Sequence, residues 1–158
     1  MRREHVVVLG GGFGGLEVGR RLAGRDVRVT LVDRQNHHLF QPLLYQVATA
    51  GLAPSEIAEP IRSIFRRAGN ISVVMDEATR IDADRRRVEL HENGAIEYDR
   101  LVIATGAETF YFGNEDYARY ARGLKTLDDA EQIRDEMLAA FEKAEMENDP
   151  ARREALMR

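Results

Sequence analysis

Three glycines and one aspartate are the residues whose types and spacing point most directly to chemistry. Gly10, Gly12 and Gly15 follow the apolar run His5-Val-Val-Val-Leu9 on a G-x-G-x-x-G spacing. That spacing suits a backbone that cradles the pyrophosphate of a dinucleotide. Gly10 lets the chain turn tightly at the end of a strand, and Gly12 lets the main chain approach a phosphate. Gly15 lets the following helix pack close to the strand. The helix then presents free N–H groups and its positive dipole end to the anion. Asp33 ends the next apolar run, Val27-Arg-Val-Thr-Leu-Val32, about twenty residues downstream. A carboxylate there accepts a hydrogen bond from a ribose hydroxyl and disfavours a 2′-phosphate.

These residues need a strand, a helix and a second strand in order, and the chain supplies a β-α-β unit from about His5 to Asp33. Leu16, Gly19, Leu22 and Ala23 recur at helical spacing and form a face that packs on a parallel sheet. The apolar stretch from Arg34 to Gly51 reads as a loop up to Pro42 and then a short helical piece to about Ala50. Pro54 to Pro60 reads as a helix start that continues through Ile61, Ile64 and Phe65. Between Ile71 and Tyr98 the pattern is an insertion of short strands, Ile71–Met75, Glu77–Asp82, Arg87–Leu90 and Ile96–Tyr98. Asn93-Gly94 is the signature of a two-residue hairpin within it. Arg100–Ala104 is a further buried strand. Thr126 reads as the N-cap of a long helix with Asp128 and Asp129 in its first turn. Ala130, Ile133, Met137, Phe141 and Ala144 give that helix one apolar face, and Asn148-Asp-Pro150 breaks it.

Composition bounds the function. The 158 residues suit one domain with an appendage, and 44% hydrophobic residues is ordinary for a globular fold. The net charge of −4, from 23 basic and 27 acidic residues, carries no nucleic-acid footprint. Arg2-Arg3, Arg66-Arg67 and Arg85-Arg86-Arg87 are short solvated clusters rather than a binding stripe. With no cysteine, these residues hold no disulfide, thiolate metal site or dithiol redox pair, which fits a cytoplasmic setting. Neither a signal peptide nor a run long enough to span a membrane is present. The adjacent His37-His38 pair lacks a carboxylate at ligand spacing, so no metal is expected. Asp128-Asp129 belongs to a helix start rather than to a catalytic pair, and Tyr111, Phe112, Tyr117 and Tyr120 are expected to pack against the domain. No acid, base or nucleophile is assigned.

Two features favour FAD over NAD(P) as the dinucleotide. One is the apolar strand Leu101-Val-Ile that runs into Ala104-Thr105-Gly106, an arrangement that recurs in flavoenzymes with two dinucleotide sites. The other is the strand insertion, which stands where a nicotinamide-binding half would have a crossover helix. The stretches His38–Gly51, Ile57–Arg62 and Gly123–Ala130 then resemble the N-terminal part of type II NADH dehydrogenases, the non-proton-pumping NADH:quinone oxidoreductases.

That resemblance covers essentially the whole chain. It implies an α/β, Rossmann-like FAD-binding domain with a parallel central sheet and a small β-meander insertion, over residues 1–122. Residues 123–158 would form a helical segment connecting to an NADH-binding domain. The family's reaction passes a hydride from NADH to the flavin and two electrons on to a quinone. By resemblance, Gly10, Gly12, Phe13, Gly14 and Gly15 hold the FAD pyrophosphate, and Asp33 and Arg34 sit at the adenosine. His38 and the Gln41-Pro42-Leu43 loop lie along the cofactor toward the flavin. Ala78 meets the adenine through its backbone, and Ala104, Thr105 and Gly106 close over the same region. The family has a second G-x-G-x-x-G after the long helix, for NADH, and none occurs before Arg158. The chain therefore reads as an FAD-domain fragment, inactive alone, whose parent acts at the cytoplasmic face of a membrane and could be a homodimer. The alternatives are a flavin-binding module without turnover and the FAD domain of another pyridine-nucleotide flavin oxidoreductase. The reactive cysteines of sulfide:quinone and disulfide reductases do not occur in these residues.

Overall fold

The computed structural model describes residues 2–157, which fall into two compact units. The first contains the chain up to His38 and Ala58–Ala107, and the second contains Leu39–Ile57 and the chain from Glu108 onward.

The first unit is built on a four-stranded parallel sheet. Strand β1 (Glu4–Leu9) runs between β2 (Val27–Asp33) and β9 (Arg100–Ile103), and β5 (Ile71–Met75) lies outside β2. Because side chains alternate across a strand, β1 serves two cores at once. Val6 and Val8 meet Leu16 of α1 (Phe13–Leu22), Val29, Leu31, Ile61 and Phe65 on one face. Val7 and Leu9 meet Val32, Val88 and Leu90 on the other. Val7, Val8, Val29 and Leu31 are fully buried, each worth about 1.5–3 kcal/mol in transfer free energy. The second face is covered by an antiparallel meander of β6 (Ala78–Asp82), β7 (Arg87–Leu90) and β8 (Ala95–Glu97). Asn70 ties the opposite end of the sheet. Its amide donates to the carbonyls of Leu22, Arg25 and Val27 at 2.9, 3.3 and 3.0 Å and accepts from the N–H of Gly24 at 2.9 Å.

Between β2 and β5 the chain forms β3 (His37–Leu39), a 3-10 turn at Gln41–Leu43, α2 (Leu44–Ala48), α3 (Pro54–Ile57), β4 (Ala58–Pro60) and α4 (Ile61–Ile64). Strands β3 and β4 pair as a two-stranded ribbon. In the second unit, α5 (Glu115–Tyr120) precedes α6 (Leu127–Met146) and α7 (Pro150–Leu156). Leu44, Val47 and Ala48 pack with Ile57 and with Ala130 of α6 in a separate small core. The start of α6 is a full capping box: Thr126 Oγ1 accepts from the Asp129 N–H at 3.1 Å, and Asp129 Oδ2 accepts from the Thr126 N–H at 2.8 Å.

Several local expectations need correction. The stretch around Pro42 is not among them: the chain turns helical at Gln41–Leu43 and continues as α2 to Ala48, close to the expected Ala50, because proline suits the first helical positions, where no N–H is needed. The helix expected from Pro54 through Phe65 is two short ones. The chain is extended through β4, and Pro60 becomes the N-cap of the second. Strand β5 joins the parallel sheet, so the antiparallel insertion begins only at Ala78. The turn containing Asn93-Gly94 is longer than two residues, since Glu89 pairs with Ala95 across it. Phe112, Tyr117 and Tyr120 are exposed rather than packed on the domain, and Phe141 is half exposed on α6.

Candidate functional site

The site forms where β1 runs into α1. Gly10 has φ +101°, a conformation open to glycine, and a Cβ there would lie 2.3 Å from the carbonyl oxygen of Ala104. Its N–H donates to the Val32 carbonyl at 2.8 Å, and the Ala104 N–H donates to the Leu9 carbonyl at 2.8 Å. The glycine turn is thereby held between β2 and the end of β9. A Cβ on Gly15 would fall 1.8 Å from the Gly10 carbonyl oxygen, so α1 starts in direct backbone contact with the turn. Gly12 is different. It is the N-cap of α1 and offers no side-chain cap, and a Cβ built on it meets nothing within 4 Å. The first-turn N–H groups of a helix lack intrahelical acceptors, so this open N-terminus is a ready site for an anion. Alanine in place of Gly14 would touch Ala104 Cβ at 3.5 Å, an ordinary contact.

Asp33 is clasped onto the turn. Its Oδ2 accepts from the Gly11 N–H at 2.5 Å and its Oδ1 from the Gln35 N–H at 2.8 Å. Each carboxylate oxygen keeps acceptor capacity for a hydroxyl. His38 approaches from β3. Its Nδ1 lies 3.2 Å from the Gly11 carbonyl, which can only accept, so Nδ1–H is the donor, and its ring meets Phe13 edge-on with centroids 4.9 Å apart.

The structure thus brings together Gly10, Gly12, Phe13, Gly14, Gly15, Asp33, His38 and Ala104. Arg34 is exposed directly after Asp33, and Thr105 and Gly106 are exposed after β9, with Gly106 at φ +76°. Ala78 opens β6 and packs with the Val7–Leu9 face of the sheet. Gln41, Pro42 and Leu43 belong to the second unit, where Gln41 Oε1 accepts from Lys125 Nζ at 3.2 Å. Gly11 was missed by the spacing argument, which assigns no task to the residue between the first two motif glycines. Asp76 was missed as well. Its carboxylate is buried against the meander's turn, and only its position just after a strand end could have singled it out. Among the described residues no group of three or more histidine, aspartate and glutamate side chains could hold a metal ion, and no helix is long and apolar enough to cross a membrane.

A parallel sheet, a glycine turn opening a helix and an acidic residue at the end of the adjacent strand define a dinucleotide-binding α/β protein. The chain belongs to the pyridine nucleotide-disulphide oxidoreductase family, whose model matches residues 4–146. It is 44% identical to the type II NADH:quinone oxidoreductase Ndh of Mycobacterium tuberculosis over 99% of its own length. It is 33% identical to the external alternative NADH-ubiquinone oxidoreductase of Yarrowia lipolytica over 98% of its length. It spans about a third of these relatives, 34% of the first and 28% of the second. The fold matches NDH2 from Plasmodium falciparum, solved in complex with NADH, with a TM-score of 0.86 and 27% identity, over 96% of this chain and 32% of that one.

Proposed function

We propose that the glycine turn holds FAD by its ADP half and that the chain supplies the FAD-binding part of an NADH:quinone oxidoreductase. The observation that carries this reading is the open helix N-terminus at Gly12 beside the Asp33 carboxylate, which is held in place by the Gly11 N–H. The N-terminus of α1 binds the pyrophosphate, with the backbone of Gly12 to Gly15 in closest approach. Asp33 accepts from a ribose hydroxyl with its remaining lone pairs, and Arg34 lies beside the adenosine. The backbone at Ala78 forms the adenine wall. His38, steadied by Phe13 and Gly11, lines the path from the pyrophosphate toward the flavin. Ala104 to Gly106 close the site over the turn. Bound there, the flavin supplies two-electron chemistry between NADH and a quinone. None of these side chains is asked to act as acid, base or nucleophile. They bind, orient and fix the cofactor's adenosine end.

The similarity to type II NADH:quinone oxidoreductases supports NADH and quinone as the substrates, and the place of work we propose is a membrane surface. The test is direct. The purified protein is mixed with FAD, freed of excess, and its visible flavin spectrum is recorded; it is then mixed rapidly with NADH, with and without a soluble quinone. The expected result is bound flavin. Bleaching by NADH and recovery with quinone in the protein extended to its relatives' length would establish the reaction. Failure of that longer protein to take up FAD would overturn the reading. Rapid bleaching by the 158 residues alone would show that they need no further NADH-binding part.

A further inference from the structure

Asp76 follows β5, and its carboxylate is buried where that strand meets the turn of the meander. Oδ1 accepts from the Glu77 N–H at 2.7 Å, and Oδ2 accepts from the Asn93 N–H at 2.9 Å and from Asn93 Nδ2 at 2.6 Å. The Glu92 N–H lies 3.3 Å from both oxygens. Glu92 and Asn93 belong to the turn between β7 and β8, so one carboxylate fastens that turn to the end of the parallel sheet. Burial alone would raise the carboxyl's pKa. The bonds from the Asn93 side chain and from the N–H groups of Glu77, Asn93 and Glu92 outweigh it and hold the group at about 2.

The run of bonds continues into the nucleotide site. The Asp76 N–H donates to the Asp33 carbonyl at 2.9 Å, and the Asp33 carboxylate takes the Gly11 N–H. Hydrogen bonds therefore lead from the meander turn through Asp76 and Asp33 to the glycine turn. Two residues beyond Asp76, Ala78 opens β6, and the register of β6 against β7 shifts between Ala78 and Arg80. Where the ladder is irregular, the place of Ala78 depends on how the chain before it is anchored: by the Asp76 carboxylate, and by the Glu77 carbonyl, which accepts from the His91 N–H at 2.9 Å.

We infer that Asp76 is a positioning residue of the nucleotide site: it fixes the backbone at Ala78 relative to Asp33 and so pre-forms the wall and the acceptor that meet the adenosine of FAD. The inference rests on the FAD reading above. It goes beyond that reading because it assigns Asp76 no contact with the cofactor, only an action through Asp33 and Ala78. It also differs from a merely structural role. Asn70 is an equally dense side-chain clamp at the opposite end of the same sheet, bonded to the backbone of Leu22, Gly24, Arg25 and Val27, with no site residue beside it.

The experiment compares the purified parent with Asp76→Asn, Asn93→Ala and Asn70→Ala, each held where circular dichroism shows it folded. Dissociation constants are measured for FAD by quenching of flavin fluorescence and for ADP by competition. Asp76→Asn sets an amide donor against backbone donors, and the expected result is roughly a tenfold weaker FAD. Asn93→Ala removes one donor and weakens FAD about threefold, while Asn70→Ala leaves it within about twofold even if less stable. ADP weakens by the same factors as FAD, since the effect lies at the adenosine end. Folded Asp76→Asn that binds FAD as the parent does, or Asn70→Ala that weakens FAD equally, overturns the positioning role and leaves the FAD site standing. A parent that binds neither FAD nor ADP overturns both.

Discussion

Replacing Gly12 and Gly15 singly by alanine separates a glycine the ligand requires from one the fold requires. A methyl group at position 12 meets no protein atom within 4 Å, and the backbone there, at φ −74° and ψ −166°, is open to alanine. Alanine is a poorer N-cap than glycine by about 0.5–1 kcal/mol. The loss of unfolded-state freedom returns about 0.4–1 kcal/mol. Gly12→Ala should therefore leave stability within about 1 kcal/mol of the parent. The same methyl occupies the open space at the N-terminus of α1 and holds a pyrophosphate away from it. One charge-assisted hydrogen bond is worth about 1.5–3 kcal/mol and the helix end up to about 1 more, so FAD binding should weaken on the order of a hundredfold. Gly15→Ala meets the opposite obstacle. Its Cβ would lie 1.8 Å from the Gly10 carbonyl oxygen, against about 3.4 Å for ordinary contact, so α1 or the turn must move by about 1.6 Å. A backbone that cannot yield this way should lose about 3 kcal/mol or more. Urea unfolding followed by circular dichroism reads the first quantity, and flavin fluorescence titration the second. The reasoning fails if Gly12→Ala unfolds as early as Gly15→Ala, or if Gly12→Ala binds FAD within about threefold of the parent.

Two further predictions concern the scaffold. His5 is buried in β1, its Nδ1 accepting from Arg28 at 2.9 Å and its Nε2 lying 2.8 Å from Thr30 Oγ1. Burial first, and the Arg28 cation next, hold its pKa below the ordinary 6.5. The unfolded chain then binds the proton more readily than the folded one, so His5's contribution is fully present above pH 6.5 and is lost as the pH falls through its folded value. His5→Gln removes this titration, so the fall in urea midpoint between neutral pH and about pH 5 should be shallower in the variant, and equal slopes would refute the assignment. Thr126→Ala removes one half of the capping box and should cost about 1 kcal/mol. Hydrogen exchange at the first turn of α6 should speed up by about fivefold while exchange in β1 is unchanged, and an unchanged α6 would show that the cap contributes nothing.

Much of the site could be read from the sequence because its determinants are local. A strand, a glycine spacing and an acidic residue at the next strand's end are set by backbone geometry within one β-α-β unit, and they meet as expected. The long helix was legible for the same reason, since Thr126 and Asp129 cap it within one turn. What escaped depends on distant partners. Asp76 looks like an ordinary loop aspartate until Asn93 is placed beside it, and Asn93 looked like part of a free two-residue turn. Pro60 divides a helix that apolar spacing alone had joined, because periodicity does not see the missing donor. Whether an aromatic residue is covered depends on what packs near it, so Phe112 and Tyr120 could not be placed from their own types.

The central place of β1 also governs how the molecule can be made. The strand leaves the ribosome well before β9, yet one of its edges waits for β9, with the His5 N–H bonded to Asp99 across a separation of 94 residues. Closing a loop of that length costs about 4 kcal/mol in chain entropy before the pairing returns anything. The Val-rich edge from Val6 to Leu9 therefore stays without its partner until the meander and β9 have left the ribosome. A nascent chain stalled before Arg100 presents an unpaired apolar strand edge, a kind of surface that templates association with other chains.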